Sequence, residues 1–298
     1  MKIAHLTDLH YQSPPSLSDL LAPKRWIGTV NLYVRGRVHQ FERRVQDATV
    51  SLCIKENVDA VLITGDLTAM ATANEFEIAR ESLQPLLDKI PTFIIPGNHD
   101  IYVKNGVPTA MKKYLGDWMG KGSPSLFNHD GISALHIETC CPDILSRGWV
   151  DPNHLLEAED LLHQVPETNF LFLTLHYPLF DRRGNPHDKW TRNIRNGEVF
   201  RDWLIQHPRI DALIHGHEHH GYHIQYDTPK GKRHSINPGS SGYALEEYRS
   251  RCAHVNFYTI ENRDLIDVER WKFTKDGFVK KIIAYKNAEI HLAKHSDN

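Results

Sequence analysis

The stretch "PTFIIPGNHD", residues 91–100, decides how the chain is read. A short apolar run stops at Pro-Gly, and an amide, an imidazole and a carboxylate follow as Asn98, His99 and Asp100. A run of this length, bounded by a turn signal, reads as a strand buried on both faces, as in parallel sheets. Alone, Pro-Gly-Asn is ordinary turn chemistry. The design recurs in "DAVLITGD" (59–66), "NFLFLTLH" (169–176) and "IDALIHGH" (210–217), and residues 2–7 form a first strand that stops at Asp8.

Helical patterns separate these runs. Phe41, Val45, Ala48 and Leu52 share one face of residues 38–56, and Thr72-x-x-Glu75 reads as a capping box opening a helix with Phe76, Ala79, Leu83 and Leu86 inward. Asp151-Pro152 supplies an N-cap and a first helical position for "NHLLEAEDLLHQV". Alternation of strand and helix through residue 217 argues for an α/β core. Beyond it, a hairpin around Pro229-Lys230-Gly231 and two strands joined near Asn262-Arg263 are expected. With no linker or internal repeat, residues 1–298 are read as a single domain, with an insert at about 13–40 and a loose tail from about 288.

Composition narrows the function. The formal net charge is −2, so no global field draws nucleic acid or an anionic membrane, and any such attraction has to be local. The N-terminus lacks an apolar signal region, and no apolar run approaches the ~18 residues of a membrane span. The four cysteines, with no C-x-x-C spacing, suit a reducing cytoplasm and offer no zinc site. Histidine is abundant, 20 residues, and its placement carries the argument.

The predicted strands end in Asp8 and His10, in Asp66, in Asn98 and His99, in His176, and in His217 and His219. Ligands of open α/β sheets bind at the carboxyl ends of strands. Oxygen and nitrogen donors gathered there without a thiolate make a metal site, and their number suggests two ions sharing Asp66. His217-Glu218-His219-His220 is no zinc-protease helix, because Gly221 stands where H-E-x-x-H needs histidine. A pair of ions clamps the attacking and leaving oxygens of an in-line displacement, which favours a phosphate ester as substrate. His99 then stands beside the ions as proton donor, oriented by Asp100.

The ordered set D-x-H, G-D, G-N-H-D, H, G-H-x-H over residues 8–219 resembles the calcineurin-like metallophosphoesterases. The resemblance implies a four-layer α-β-β-α sandwich of two mixed β-sheets, with the metal site at the strand C-terminal ends. It implies one ion on Asp8, His10, Asp66 and His219, and another on Asp66, Asn98, His176 and His217. A metal-bridging hydroxide would attack phosphorus while His99 serves the leaving oxygen. Manganese is the expected metal, with iron or zinc equally suited to these donors.

Two stretches bear on the substrate. In "LLAPKRWIGTVNLYVRGRVHQF" (20–41), Ile27, Val30, Val34, Val38 and Phe41 recur at roughly helical spacing beside Lys24, Arg25, Arg35 and Arg37, interrupted by Gly28 and Gly36. This reads either as a basic amphipathic lid for a lipid-linked anion at a membrane surface or as a helix packed on the core. In "DRRGNPHDKWTRNIRNG" (181–197), Arg182, Arg183, Lys189, Arg192 and Arg195 are candidates to hold phosphate oxygens, against the plain reading of a solvated loop. "NPGSSGY" (237–243) brings small residues either to a phosphate or to a tight connection.

The first stretch, with "GDLT…EFEIA" and "GNHDIY", also resembles a bacterial subgroup that includes chlamydial-type UDP-2,3-diacylglucosamine pyrophosphatases of lipid A synthesis. The expectation is therefore a cytoplasmic hydrolase, peripheral at the inner membrane, that cleaves a lipid-linked UDP-sugar. The alternative is a 3′,5′-cyclic nucleotide phosphodiesterase. A nuclease is disfavoured because the chain has no basic excess and no added DNA-binding domain, so no nucleic-acid partner is expected. A non-catalytic scaffold is disfavoured by the complete donor set. Nothing in the sequence fixes an oligomeric state.

Overall fold

The computed structural model describes residues 1–34, 36–104 and 106–281. Arg35 and the expected tail lie outside the described residues. In chain order the elements are β1 (Lys2–Leu6), α1 (Pro23–Tyr33), α2 (Arg43–Lys55), β2 (Ala60–Ile63), α3 (Ala73–Leu87), β3 (Thr92–Ile94), α4 (Thr109–Leu115), β4 (Ser125–His129), β5 (Ile132–His136), α5 (Pro152–Leu162), β6 (Phe170–Thr174), α6 (Gly197–Gln206), β7 (Ala212–Ile214), β8 (Tyr222–Thr228), β9 (Gly231–Asn237), β10 (His254–Glu261), β11 (Asp264–Thr274) and β12 (Gly277–Lys281).

They build two six-stranded mixed sheets, β12-β11-β10-β1-β2-β3 and β4-β5-β6-β7-β9-β8. In the first, β1, β2 and β3 run parallel and β10 to β12 antiparallel. In the second, β5, β6, β7 and β9 run parallel, with β4 and β8 antiparallel at the edges.

The apolar runs explain the layering, because successive side chains of a strand point to opposite faces. Ile3, Ala60, Leu62, Phe170, Phe172, Ala212 and Ile214 meet in a core between the sheets. Their alternates Ala4, Leu6, Val61 and Ile63 pack under helices with Phe76, Ala79 and Leu83 of α3. Leu171, Leu173 and Leu213 do the same against Leu155 of α5 and Phe200 of α6. The expected four-layer α-β-β-α sandwich is the observed architecture. Both hairpins of the C-terminal third are present, β8–β9 and β10–β11.

Three readings change. Each strand stops before its chemistry-bearing residues, so those sit on the loops that follow. The helix expected over 38–56 begins only at Arg43, and Phe41 instead bridges to Tyr243 and packs its ring 4.2 Å from that of His10. In residues 20–41, α1 ends at Tyr33 and Gly36 turns left-handed. Gly28 and Leu32 face inward, while Ile27, Val30 and Val34 stay exposed. Gly28 is where a side chain cannot fit, since a Cβ would lie 2.5 Å from the Tyr102 hydroxyl.

The Thr72 capping box forms, with Glu75 taking the Met70 and Thr72 amides. Burial pushes its carboxyl up to about 7 from an ordinary 4.5, the amides acting the other way. A raised carboxyl pKa keeps a proton on the native state that the unfolded chain releases. This contribution is complete below about 4.5 and is lost as pH rises through about 7, with a slope of up to ~1.4 kcal/mol per pH unit. Glu75→Gln, which keeps the acceptor, should flatten that segment of the stability curve in urea titrations. A variant curve parallel to the parent's would refute the assignment.

Candidate metal centre

The parallel strands of both sheets present their carboxyl ends to one place. The loops after β1, β2, β3, β6 and β7 carry Asp8 and His10, Asp66, Asn98 and His99, His176, and His217 and His219. Inter-sheet hydrogen bonds lock these loops together. The His176 Nδ1 lies 2.9 Å from the Thr64 carbonyl, the His217 amide donates to Asp8 Oδ2 at 2.9 Å, and the Ser241 amide donates to the Thr7 carbonyl at 2.8 Å.

Each carboxylate has one oxygen tied down and the other aimed inward. Asp8 Oδ2 accepts from the Thr7 hydroxyl and the His217 amide, leaving Oδ1 facing His219 Nε2 at 3.1 Å and His10 Nε2 at 3.8 Å. Asp66 Oδ1 accepts from the His99 amide, leaving Oδ2 between His10 Nε2 at 3.6 Å and His176 Nε2 at 3.3 Å. Asp66 Oδ2 is therefore the atom common to both halves of the cluster. Asp8-His10-His219 and Asp66-His176-His217 each bring their donor atoms within 4.8 Å of one another, and so do His10-Asp66-His99.

Tautomers decide what this geometry can hold. His10 Nδ1 faces the Thr68 carbonyl at 3.2 Å and His176 Nδ1 the Thr64 carbonyl, so each neutral ring carries its proton there. Their Nε2 lone pairs then point at other acceptors. His10 Nε2 meets His219 Nε2 at 3.3 Å, and His176 Nε2 meets Asn98 Oδ1 at 3.0 Å, with His217 Nδ1 2.9 Å from that same oxygen. With these rings neutral and their Nε2 atoms bare, either a proton on one ring or a cation between the donors can satisfy the contacts. The donor set, carboxylate, amide oxygen and imidazole, fits divalent transition ions.

Electrostatics agree. Burial opposes the charge on Asp66, yet His176 and then His99 hold its carboxyl far below the usual range; burial opposes Asp8 too, and His219 and His10 hold it down. Against its own burial, His176 is carried up to about 9 by Asp66. In the absence of a cation, a proton on that ring is the counter-charge.

His99 is oriented by Ala69, whose carbonyl lies 2.6 Å from Nδ1, and its ring stacks on Tyr102. Burial pushes it down to about 3, so the free ring is neutral. Asp100 does not touch this ring, contrary to the expectation. Its oxygens take the amides of Leu67, Thr68 and Gly97 and the Thr68 hydroxyl, clamping the β2 loop to the β3 loop. Gly97 is required at this junction, since a Cβ would come within 2.2 Å of both Asp66 N and Oδ1.

A cavity of about 740 Å³ opens above Asp66, Asn98 and His217. Arg182 and Arg192 line it. Arg183 lines a neighbouring surface hollow instead. Arg25 is spent elsewhere, on the Met70 and Ala71 carbonyls and on Asp19, because its side chain points under α1 toward the β2 loop. Of the described residues in 20–41 the cavity takes Arg37 and Gln40, and α1 borders a crevice of about 40 Å³ beside His99. The sequence reading missed Tyr243, Arg249 and Arg251 as cavity residues. The arginines flanking Ser250, directly beyond the tight 237–243 turn, were the available signal.

Because Asp66 Oδ2 lies between the two donor clusters, Asp66→Asn should retain fewer than one Mn²⁺ per chain where two are expected of the parent, measured by metal analysis after dialysis. Two retained ions would remove Asp66 as the shared donor.

Known proteins with similar sequences and folds bear on this site. The calcineurin-like phosphoesterase family profile matches residues 1–221. A probable cyclic nucleotide phosphodiesterase of Vesicomyosocius okutanii is 27% identical over 164 residues, 55% of this chain and 63% of that protein. One of Pseudoalteromonas sp. is 26% identical over 76% of this chain and 74% of its own. A probable glycerophosphodiester phosphodiesterase of Arcobacter nitrofigilis is 29% identical over 56% of this chain and 58% of its own length. The chain thus spans under two thirds of the first and third of these relatives. In fold it is similar to a dimetal phosphatase from Danio rerio, with a TM-score of 0.61 at 11% identity, covering 94% of this chain and 98% of that one. With its sandwich fold and its match through the last of the five strand-end loops, the chain belongs to the calcineurin-like phosphoesterase family.

Proposed function

We propose that this chain is a single-domain, two-metal phosphodiesterase acting on a small, strongly anionic phosphodiester or pyrophosphate. The observation that carries the reading is the pair of lone-pair clusters joined at Asp66 Oδ2 beneath an arginine-lined cavity. Asp8, His10, Asp66 and His219 would hold one ion and Asp66, Asn98, His176 and His217 the other, manganese being our expected metal. Such ions neutralise phosphoryl charge and make water acidic enough to attack at neutral pH.

The chain's own residues do the rest. The Thr64, Thr68 and Ala69 carbonyls fix the rings of His176, His10 and His99, so no reorientation is needed during reaction. His99 Nε2 serves the leaving oxygen. Its ring is neutral before substrate arrives, so the proton it delivers is taken up with the anionic substrate. Asp100 acts through the backbone, holding the two loops that carry Asp66 and Asn98.

The names of the relatives, cyclic nucleotide and glycerophosphodiester phosphodiesterases, support a diester as substrate. A second reading, an acylated UDP-sugar of lipid A synthesis bound by a cytoplasmic enzyme at the inner membrane, is favoured by a separate observation. Leu17, Leu21, Trp26, Ile27, Tyr33 and Val34 leave an exposed apolar surface on and before α1. No described helix is long and apolar enough to cross a membrane.

With Mn²⁺ added, bis(p-nitrophenyl) phosphate should be hydrolysed well above a monoester; no diester turnover would end the reading. His99→Ala should lower kcat about 10²–10⁴-fold for alkyl diesters, whose leaving oxygen needs a proton, and far less for p-nitrophenyl esters, which leave unaided. Equal losses would assign His99 another role. Acylated and deacylated UDP-glucosamine cleaved at equal rates would dismiss the lipid.

A further inference from the structure

The cavity above the metal cluster carries more positive charge than one phosphodiester can use. Among the described residues five arginines line it, Arg37, Arg182, Arg192, Arg249 and Arg251, against two carboxylates, Asp66 and Glu218. Asp66 belongs to the metal cluster, and Glu218 faces His187 Nε2 at 3.4 Å. The whole chain has a net charge of −2, so this excess is a local feature of the cavity and not a sample of a basic surface.

The arginines come from three separate parts of the chain and converge. Arg182 and Arg251, on the loops after β6 and β9, line the same cavity, as does His220. Arg251 is pre-oriented by donating to the Tyr243 hydroxyl at 3.2 Å. Arg182 has no ion pair or side-chain hydrogen bond with a described residue, so its guanidinium is available. Arg192 is held at a φ of 75°, a left-handed backbone that a non-glycine residue adopts at a cost. Guanidinium groups placed in this way suit bidentate recognition of phosphoryl oxygens.

We infer that the cavity selects substrates bearing at least one phosphoryl group beyond the one attacked, held by Arg182 and Arg251 of its lining. The inference rests on the two-metal hydrolase reading for which phosphoryl group is attacked, and it names the substrate class for that site. A pyrophosphate-linked nucleotide meets the requirement; a cyclic mononucleotide, with a single phosphoryl group, does not.

Binding tests this separately from catalysis. Calorimetry on the Mn²⁺-loaded protein would compare α,β-methylene-ADP, which has two phosphoryl groups and resists hydrolysis, with AMP, which has one. The parent should bind the former at least tenfold more tightly, and Arg182→Ala with Arg251→Ala together should bring the ratio below about threefold. Arg182→Ala alone, which breaks no hydrogen bond or ion pair to a described residue, should cut the ratio by at least threefold even if the double variant folds poorly. Equal binding of the two ligands by the parent, or a preference that survives Arg182→Ala unchanged, overturns the inference. Both readouts stand whether or not any diester is hydrolysed, so a failure of the hydrolase reading shows in turnover and a failure of this one in the affinity ratio.

Discussion

The structure depends on one electrostatic constraint: two ionised, fully buried carboxylates surrounded by imidazole and amide lone pairs. Isolated, a buried carboxylate is costly to ionise. Here each spends one oxygen on protein donors, Asp8 on Thr7 and the His217 amide, Asp66 on the His99 amide, and turns the other to the cluster. Two of these three partners, the His217 and His99 amides, come from the loops of other strands, so the cluster forms only when the sandwich is assembled. The inter-sheet core of Ile3, Leu62, Phe172 and Ile214 supplies the force that brings the two strand edges into register.

Backbone strain marks the same positions. Asp8, His10, Asp66, His217 and His219 all have positive φ, a conformation that costs a non-glycine residue about 1–3 kcal/mol. A left-handed residue just past a strand end reverses the chain sharply and throws its side chain over the sheet edge. The adjacent glycines make room for this. A Cβ on Gly216 would lie 1.9 Å from the Thr7 hydroxyl and 2.5 Å from Asp8 Oδ2, and Gly97 is equally confined against Asp66. The G-D, G-N-H and G-H pairs are thus single devices, a glycine that permits the approach and a donor that uses it.

Above this rigid floor the walls are built differently. Arg182, Arg192, Arg249 and Arg251 are exposed residues on loops, fixed by few contacts, in keeping with a general division in which the scaffold places the chemistry and the loops choose the ligand. The latch between His187 and Glu218 joins one wall to the loop bearing His217 and His219, so substrate-facing and metal-facing segments share a support.

The strands, the layers and the donor set were legible in the sequence because each depends on local pattern. A four- or five-residue apolar run must be buried on both faces, and the polar residue that follows it must lie at the sheet's edge. The Thr72 capping box was legible for the same reason, its partners being three residues apart. What depends on meetings between distant segments was not. Arg25 looked like part of a substrate-binding basic lid until Met70 and Ala71 claimed it, Asp100 looked like a partner of His99 until three amides claimed it, and Phe41 left its helix to pack on His10. The sequence by itself determined which atoms could bind metal, since donor chemistry belongs to the residue. Only the tertiary structure decided which lone pairs face one another and which arginines reach the cavity, because those are properties of distances across the sandwich that no spacing along the chain records.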